Sequence, residues 1–246
     1  MLKNGRWVGP GTLCAACAAE VEKRLIAAEE ADRRERLWKA SGLPLGRSGP
    51  ALDTLDQRYI DRQGRGVELA RRWPFPGEWR APYFWSLDSG LGKSHLAACL
   101  VRKFIEDQHR PALFVVVPDL LAMERKGFAA REGAEVIDRA CSVPFLALDD
   151  LGTQNNTEWA LDALFRIIEA RIKRRLPTCV TGKYSPSELT KAFRVHGRDH
   201  LIVHADSAAD RMVELCIPCR LGDGEGRGVS IRLEMAEERQ GRWMKW

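Results

Sequence analysis

The stretch that decides the fold reads Tyr83-Phe84-Trp85-Ser86-Leu87-Asp88-Ser89-Gly90-Leu91-Gly92-Lys93-Ser94. Tyr83–Leu87 is an apolar run of strand type, and Lys93–Gln108 has the pattern of a helix. A glycine-rich turn between a strand and a helix is the context a phosphate-binding loop requires. Gly90 and Gly92 let backbone N–H groups approach phosphate oxygens, and the helix N-terminus adds a favourable dipole. Lys93 is placed to reach β- and γ-phosphates, and Ser94 to ligate Mg²⁺. The nucleotide-contacting set read here is Ser89, Gly90, Leu91, Gly92, Lys93, Ser94 and His95. One position departs from G-x-x-x-x-G-K-[ST]: Leu87 stands where the pattern has its first glycine. The loop can still form if Leu87 takes negative φ. The competing reading is an ordinary Gly-rich turn. At roughly 7% glycine usage, however, Gly-x-Gly-Lys-Ser arises by chance in well under about 1% of chains this long.

Working outward, Phe145-Leu146-Ala147-Leu148-Asp149-Asp150 is a buried strand ending in two acids. Ligands of parallel sheets bind at the carboxyl ends of strands. Asp149 is therefore the candidate Mg²⁺ ligand, and Asp150 the candidate base that orients an attacking water. Alone such a run is weak evidence; one strand–helix unit and a further strand after the loop, it is strong. Thr178-Cys179-Val180-Thr181-Gly182-Lys183 is another strand and turn. It leaves Lys183 as either a phosphate contact or a solvated loop lysine. Asp210-Arg211-Met212 falls on a late helix, where a lone Arg is usually a surface charge and gains weight only if it faces a neighbouring subunit's nucleotide.

The wider pattern is strand–helix alternation. Strands are expected at Tyr83–Leu87, Ala112–Val117, Pro144–Asp149, Thr178–Thr181 and Val213–Pro218. Helices are expected at Lys93–Gln108, Pro118–Lys126, Arg131–Ala140, Glu158–Arg175, Pro186–Phe193 and Ala205–Met212. Such alternation argues for a parallel sheet with helices on both faces. Ahead of it, residues 1–43 hold a helix over Ala18–Ala40 whose apolar Val21, Leu25 and Ala28 share one face. That stripe either docks the helix on the body or receives a partner. Residues 44–82 read as a linker with short helices at Asp53–Arg62 and Val67–Trp73, residues 83–235 as the core and 236–246 as a tail.

The chain has 246 residues, 45% hydrophobic and 30% charged, with a formal net charge of +5. These values suit one globular core with an appendage and a mild positive charge compatible with nucleic acid. No apolar run approaches the ~20 residues a spanning helix needs, and the N-terminus lacks a signal-peptide core. No membrane association and a cytoplasmic location are the expectation. Seven scattered cysteines argue against a disulfide framework. Cys14 and Cys17 supply half a zinc site; Cys216 and Cys219 lie some 200 residues away. Zinc is therefore expected to bind weakly at most. His196, His200 and His204 recur every four residues, but Gly197 interrupts the helix between them. Mg-ATP explains the chain better than a His metal site.

At this point the residues resemble a known family, the DnaC/DnaI-type replicative helicase loaders related to the IstB transposition ATPases. The resemblance covers roughly residues 41–235. It rests on Ala40-Ser41-Gly42-Leu43-Pro44, Gly90-Leu91-Gly92-Lys93-Ser94-His95-Leu96-Ala97, Val117-Pro118-Asp119-Leu120-Leu121, Leu148-Asp149-Asp150-Leu151-Gly152-Thr153, Pro177-Thr178-Cys179-Val180-Thr181 and Ser185-Pro186-Ser187-Glu188-Leu189. It implies an α/β fold: an AAA+ P-loop NTPase core with a parallel five-stranded sheet flanked by helices, plus a small, mostly helical N-terminal segment. It further implies ATP and Mg²⁺ as cofactors, single-stranded DNA and a replicative helicase as partners, and an ATP-dependent homo-oligomer. Arg211 becomes the arginine-finger candidate and Arg232 a weaker nucleotide-sensing one. The family usually has a polar residue, commonly Asn, where Lys183 stands; a lysine can donate hydrogen bonds but cannot accept one from a water. Slow, assembly-dependent hydrolysis is the expectation. An IstB-like transposition helper and an ATP-binding scaffold without catalysis are the competing readings.

Overall fold

The computed structural model describes residues 2–3, 6–7, 14–43, 49–122, 130–153, 157–189, 193 and 202–222. Strands β1 (Leu2–Lys3) and β2 (Arg6–Trp7) form a short antiparallel ladder. The main sheet has five strands: β3 (Ala81–Trp85), β4 (Ala112–Val116), β5 (Phe145–Leu151), β6 (Thr178–Gly182) and β7 (Cys216–Arg220). Their order is β4-β5-β6-β3-β7 and every neighbouring pair is parallel.

Side chains alternate across each strand, and the core splits accordingly. Ala112 and Phe114 of β4, with Phe145 and Ala147 of β5, pack on α2 (Gln57–Arg72), α3 (Lys93–Gln108) and the end of α1 (Ala15–Ala40) through Val67, Leu96, Leu100 and Trp38. Leu113 and Val115, with Leu146 and Leu148, face the other way. They meet α4 (Val117–Ala122), α5 (Ala130–Ser142), α6 (Glu158–Arg174) and α7 (Ile202–Leu215) through Leu120, Ile137, Leu164 and Met212. Helices therefore cover both faces, which is why these strands read as continuous apolar runs.

Several elements differ from the sequence expectation, and the strand expected at Tyr83–Leu87 covers Ala81–Trp85, leaving Leu87 in the loop. The helix expected to end at Met212 runs on through Leu215, where Arg211 and Glu214 pair at i,i+3, and the strand begins only at Cys216, opposite Ala81. Pro186–Glu188 is a single 3-10 turn closed by a Ser185/Glu188 capping box; residues 190–192 of the expected helix lie outside the described ones. The two short helices expected before the core are a 3-10 turn at Leu52–Thr54 and one helix, α2, bent at Gln63 (φ −114°, ψ 21°). Gln63-Gly64-Arg65-Gly66 looks like a break in sequence. A side chain at Gly66 would run into Leu221, and Gln63 Oε1 accepts the Gly222 N–H at 2.9 Å. This bent helix packs into the core through Tyr59, Val67 and Ala70, followed by Trp73. On α1, by contrast, Val21 and Leu25 are exposed and Trp38 alone is buried among its residues, so the apolar stripe does not dock on the body.

Candidate nucleotide site

The loop after β3 closes tightly onto α3. Gly90 (φ 79°) and Gly92 (φ 78°) are left-handed, and the Gly92 carbonyl accepts the first helical N–H, from Leu96, at 3.0 Å. Leu87 is not among the residues with positive φ. The missing first glycine therefore costs the loop no backbone strain, and the Leu87 side chain points outward, 58% exposed. Lys93 is nearly buried and its ammonium donates to the carbonyls of Ser86 (3.3 Å) and Asp88 (2.7 Å). Burial pushes the Lys93 ammonium below its ordinary value; Asp150 acts against this, and Lys183 adds to it.

The acidic strand end comes up beside the loop because β5 and β3 flank β6. Asp149 is buried. Its Oδ1 accepts the Thr181 hydroxyl at 2.6 Å, and the Ser94 side chain lies beside it. Burial pushes the Asp149 carboxyl up, while the Thr181 and Ser94 side chains hold it down. Asp150 and Lys183 line the same cleft of ≈ 630 Å³ as Ser89 through His95, together with Thr54, Leu55, Asp56, Tyr59 and Thr153. The predicted residues of the loop, the acidic strand and the lysine turn are thus brought together at the carboxyl edge of the sheet, where α/β ligands bind.

Arg211 is not among the lining residues. It sits on α7, with Nε 2.8 Å from Glu169 and Nη1 2.7 Å from Glu214. Arg232 and the histidines 196 and 200 lie outside the described residues. Cys14 caps α1, its sulfur accepting the Cys17 N–H at 3.4 Å. Cys216 and Cys219 are buried in β7, and Cys216 donates to the Thr178 carbonyl at 3.1 Å. Among the described residues no three His, Cys, Asp or Glu side chains assemble as a metal site.

Three residues to which the sequence assigned no role complete the site. Tyr59 lies against the loop: its hydroxyl donates to the Gly92 carbonyl at 3.0 Å and its ring stands 5.8 Å from that of His95. Tyr83, inside β3, donates to the Tyr184 carbonyl at 2.6 Å and so anchors the turn that carries Lys183. Thr181 touches both acids. No local pattern distinguishes such residues from core tyrosines or a strand threonine, because each acts through a partner distant in sequence.

The residues fit a Mg-nucleotide. A left-handed glycine cradle faces a helix N-terminus, a lysine is placed to leave loop carbonyls for phosphate, and the Ser94 hydroxyl and Asp149 carboxylate stand side by side. An all-parallel five-stranded sheet with its Gly-Lys-Ser turn on an interior strand and its acid two strands away defines the AAA+ type of P-loop NTPase fold. Within that class the chain is similar to the replicative helicase loaders DnaI and DnaC. It is 28% identical over 140 residues to DnaI of Bacillus subtilis, covering 56% of this chain and 44% of that protein. It is 22% identical over 113 residues to DnaC of Escherichia coli (strain K12), covering 45% of this chain and 46% of that one. A crystal structure of DnaI superposes with a TM-score of 0.60 at 22% identity, over 70% of this chain and 90% of that chain. The matches thus span less than half the length of these curated relatives. No protein-family model matches. No helix among the described residues is long and apolar enough to cross a membrane.

Proposed function

We propose that this chain binds Mg-ATP and uses it to switch the loading of a replicative helicase onto single-stranded DNA, with slow hydrolysis that depends on assembly. The observation that carries the reading is the placement of half-buried Ser94 next to buried Asp149, beside Lys93 at the end of β3 and β5. In this reading the backbone N–H groups of Gly90 through Lys93 and the start of α3 receive the phosphates, and Lys93 exchanges its loop carbonyls for phosphate oxygens. Ser94 and Asp149 would hold Mg²⁺, which would supply charge neutralisation at the phosphates. Asp150 orients the water, and Lys183 donates to phosphate from the turn after β6. The helicase role rests on the loader relatives and on α1, whose exposed Val21, Leu25 and Ile26 supply an apolar surface for a partner.

A second reading is favoured by Lys183 itself. A cation that contacts the ground state of ATP as well as the transition state strengthens binding without accelerating chemistry. A scaffold that binds ATP without turnover would look the same in the cleft. The test is calorimetric ATP binding by wild type and Lys93→Ala, followed by capture of the host's replicative helicase with and without ATP. Loss of ATP binding in the variant and ATP-dependent capture are expected. Equal ATP affinity in both would overturn the site, and no helicase capture under any condition would overturn the loader role. Absence of turnover even with DNA and helicase present would favour the scaffold.

A further inference from the structure

Strand β5 carries one residue too many at its acidic end. Its pairing with β6 is regular through Leu148↔Val180 and resumes at Leu151↔Gly182, so three steps on one strand answer two on the other. Side-chain faces show which residue is extra. Phe145 and Ala147 face α3, and Leu146 and Leu148 face α5 and α6. In an unbroken strand Leu151 would fall on the Phe145 side; it packs instead with Leu146 and Leu148. The inserted residue is Asp150, which takes a left-handed φ of 61°. A strand without the insertion would send successive acids to opposite faces. A bulge re-aims a side chain in this way, and here Asp149 lies beside Ser94 while Asp150 lines the cleft with Lys93.

A left-handed non-glycine residue costs about 1 kcal/mol or more, and its N–H falls out of the ladder. The fully buried Thr181 answers both problems with one hydroxyl. Its Oγ1 accepts the Asp150 N–H at 3.0 Å and donates to Asp149 Oδ1 at 2.6 Å. A hydroxyl has one proton and two acceptor lone pairs, so both bonds can exist together, and they leave the proton committed to Asp149.

We propose that Thr181 is a positioning residue for the acidic pair: its hydroxyl pins the bulge and aims Asp149 at Ser94, and so sets how strongly Mg²⁺ enhances nucleotide binding. This rests on the nucleotide-binding reading above. The discriminating quantity is the ratio of affinity for a fluorescent ATP analogue in saturating Mg²⁺ to that in EDTA, measured by anisotropy. Loss of a residue that orients a metal ligand typically weakens metal affinity about 10–100-fold. We expect Thr181→Val, which keeps branching but has no hydroxyl, to lower the ratio about tenfold, and Thr181→Ser to restore it. Added to Asp149→Asn, Thr181→Val should produce little further loss, since the two act through one contact. If the valine variant does not fold, Thr181→Ala removes the same hydroxyl and makes the same comparison. A wild-type ratio in the valine or alanine variant would overturn the proposal, and so would a serine variant as impaired as the valine one, which would signal packing alone. A wild type that binds ATP with no Mg²⁺ enhancement also overturns it while leaving ATP binding intact. A wild type that binds no ATP in either condition sinks the nucleotide-binding reading itself.

Discussion

Gly92 shows how much one residue's missing side chain decides. Its φ is 78°, and a Cβ built there would stand 2.3 Å from the Tyr59 ring. Two separate costs follow from adding a methyl: the left-handed backbone, about 1–2 kcal/mol, and a clash with a ring fixed by its bond to the Gly92 carbonyl. We expect Gly92→Ala to lower both thermal stability and ATP affinity. Adding Tyr59→Ala should relieve the clash but not the backbone term, so recovery should be partial. Full recovery in the double variant would show that the backbone conformation is unimportant; no recovery would show that Tyr59 does not crowd the loop. Gly92 and Lys93 were legible in the sequence because their chemistry is local: a tight turn, a cation and a helix start follow one another. Tyr59 was not, since 33 residues separate it from the carbonyl it serves. Arg171 makes the same point more sharply. As sequence it is one more charge near a helix end. In the fold it is fully buried, its guanidinium donating to Thr178 Oγ1 and to the carbonyls of Ala140, Val143 and Pro177. That burial pulls it down from its ordinary value to about 9.

At the scale of elements, period and turn chemistry placed the strands and helices well and their ends less well. Strand β5 was legible as an apolar run, but its bulge was not, because the extra residue shows only when the register with β6 is known. The bend in α2 falls at Gln63-Gly64-Arg65-Gly66, which reads as a break because glycines weaken a helix, but Gly66 makes room for Leu221. The entry to β3 is held by a local device that sets a pH dependence. Glu78 accepts the Arg80 backbone N–H at 3.0 Å and the Arg80 guanidinium at 2.6 Å. The Arg80 side-chain bond is the main reason that the Glu78 carboxyl falls from 4.5 to about 2. A carboxyl lowered on folding contributes stability that is fully present above its unfolded value and is lost as pH falls through the folded one. The Glu78 contribution should therefore disappear between 4.5 and about 2. Its size is limited by solvent screening at this half-exposed pair. We expect Glu78→Gln to lower stability at neutral pH slightly and to flatten the acid limb in that window. Denaturant melts at several pH values would show parallel curves for the two proteins if the pair were inert.

Across the whole molecule, one sheet gathers at its carboxyl edge the loop of β3, the acids of β5 and the lysine turn of β6, while Arg211 stands apart on α7. This separation bears on hydrolysis. Within its own chain Arg211 is clasped by Glu169 and Glu214 and does not line the cleft, so Arg211 could act at a γ-phosphate only on the nucleotide of a second chain. Lys183 adds a cation to the cleft, yet it cannot accept a hydrogen bond to orient a water. Asp150 can, and its placement depends on the bulge. In the proposed function an isolated chain then has the parts for binding and an incomplete set for turnover. We expect phosphate release to be slow at low protein concentration and to rise with concentration and with added single-stranded DNA or helicase. Arg211→Ala should remove the rise and leave ATP affinity nearly unchanged. The loss should be large, since an arginine finger supplied in trans is worth about 10³–10⁵ in turnover where it has been characterised. Lys183→Asn should raise turnover if the lysine occupies a place where water needs an acceptor. Steady-state phosphate release at several protein concentrations, with and without DNA, separates these effects. Fast turnover that is independent of concentration and survives Arg211→Ala would mean that one chain holds a complete site, and the assembly-dependent mechanism would be wrong.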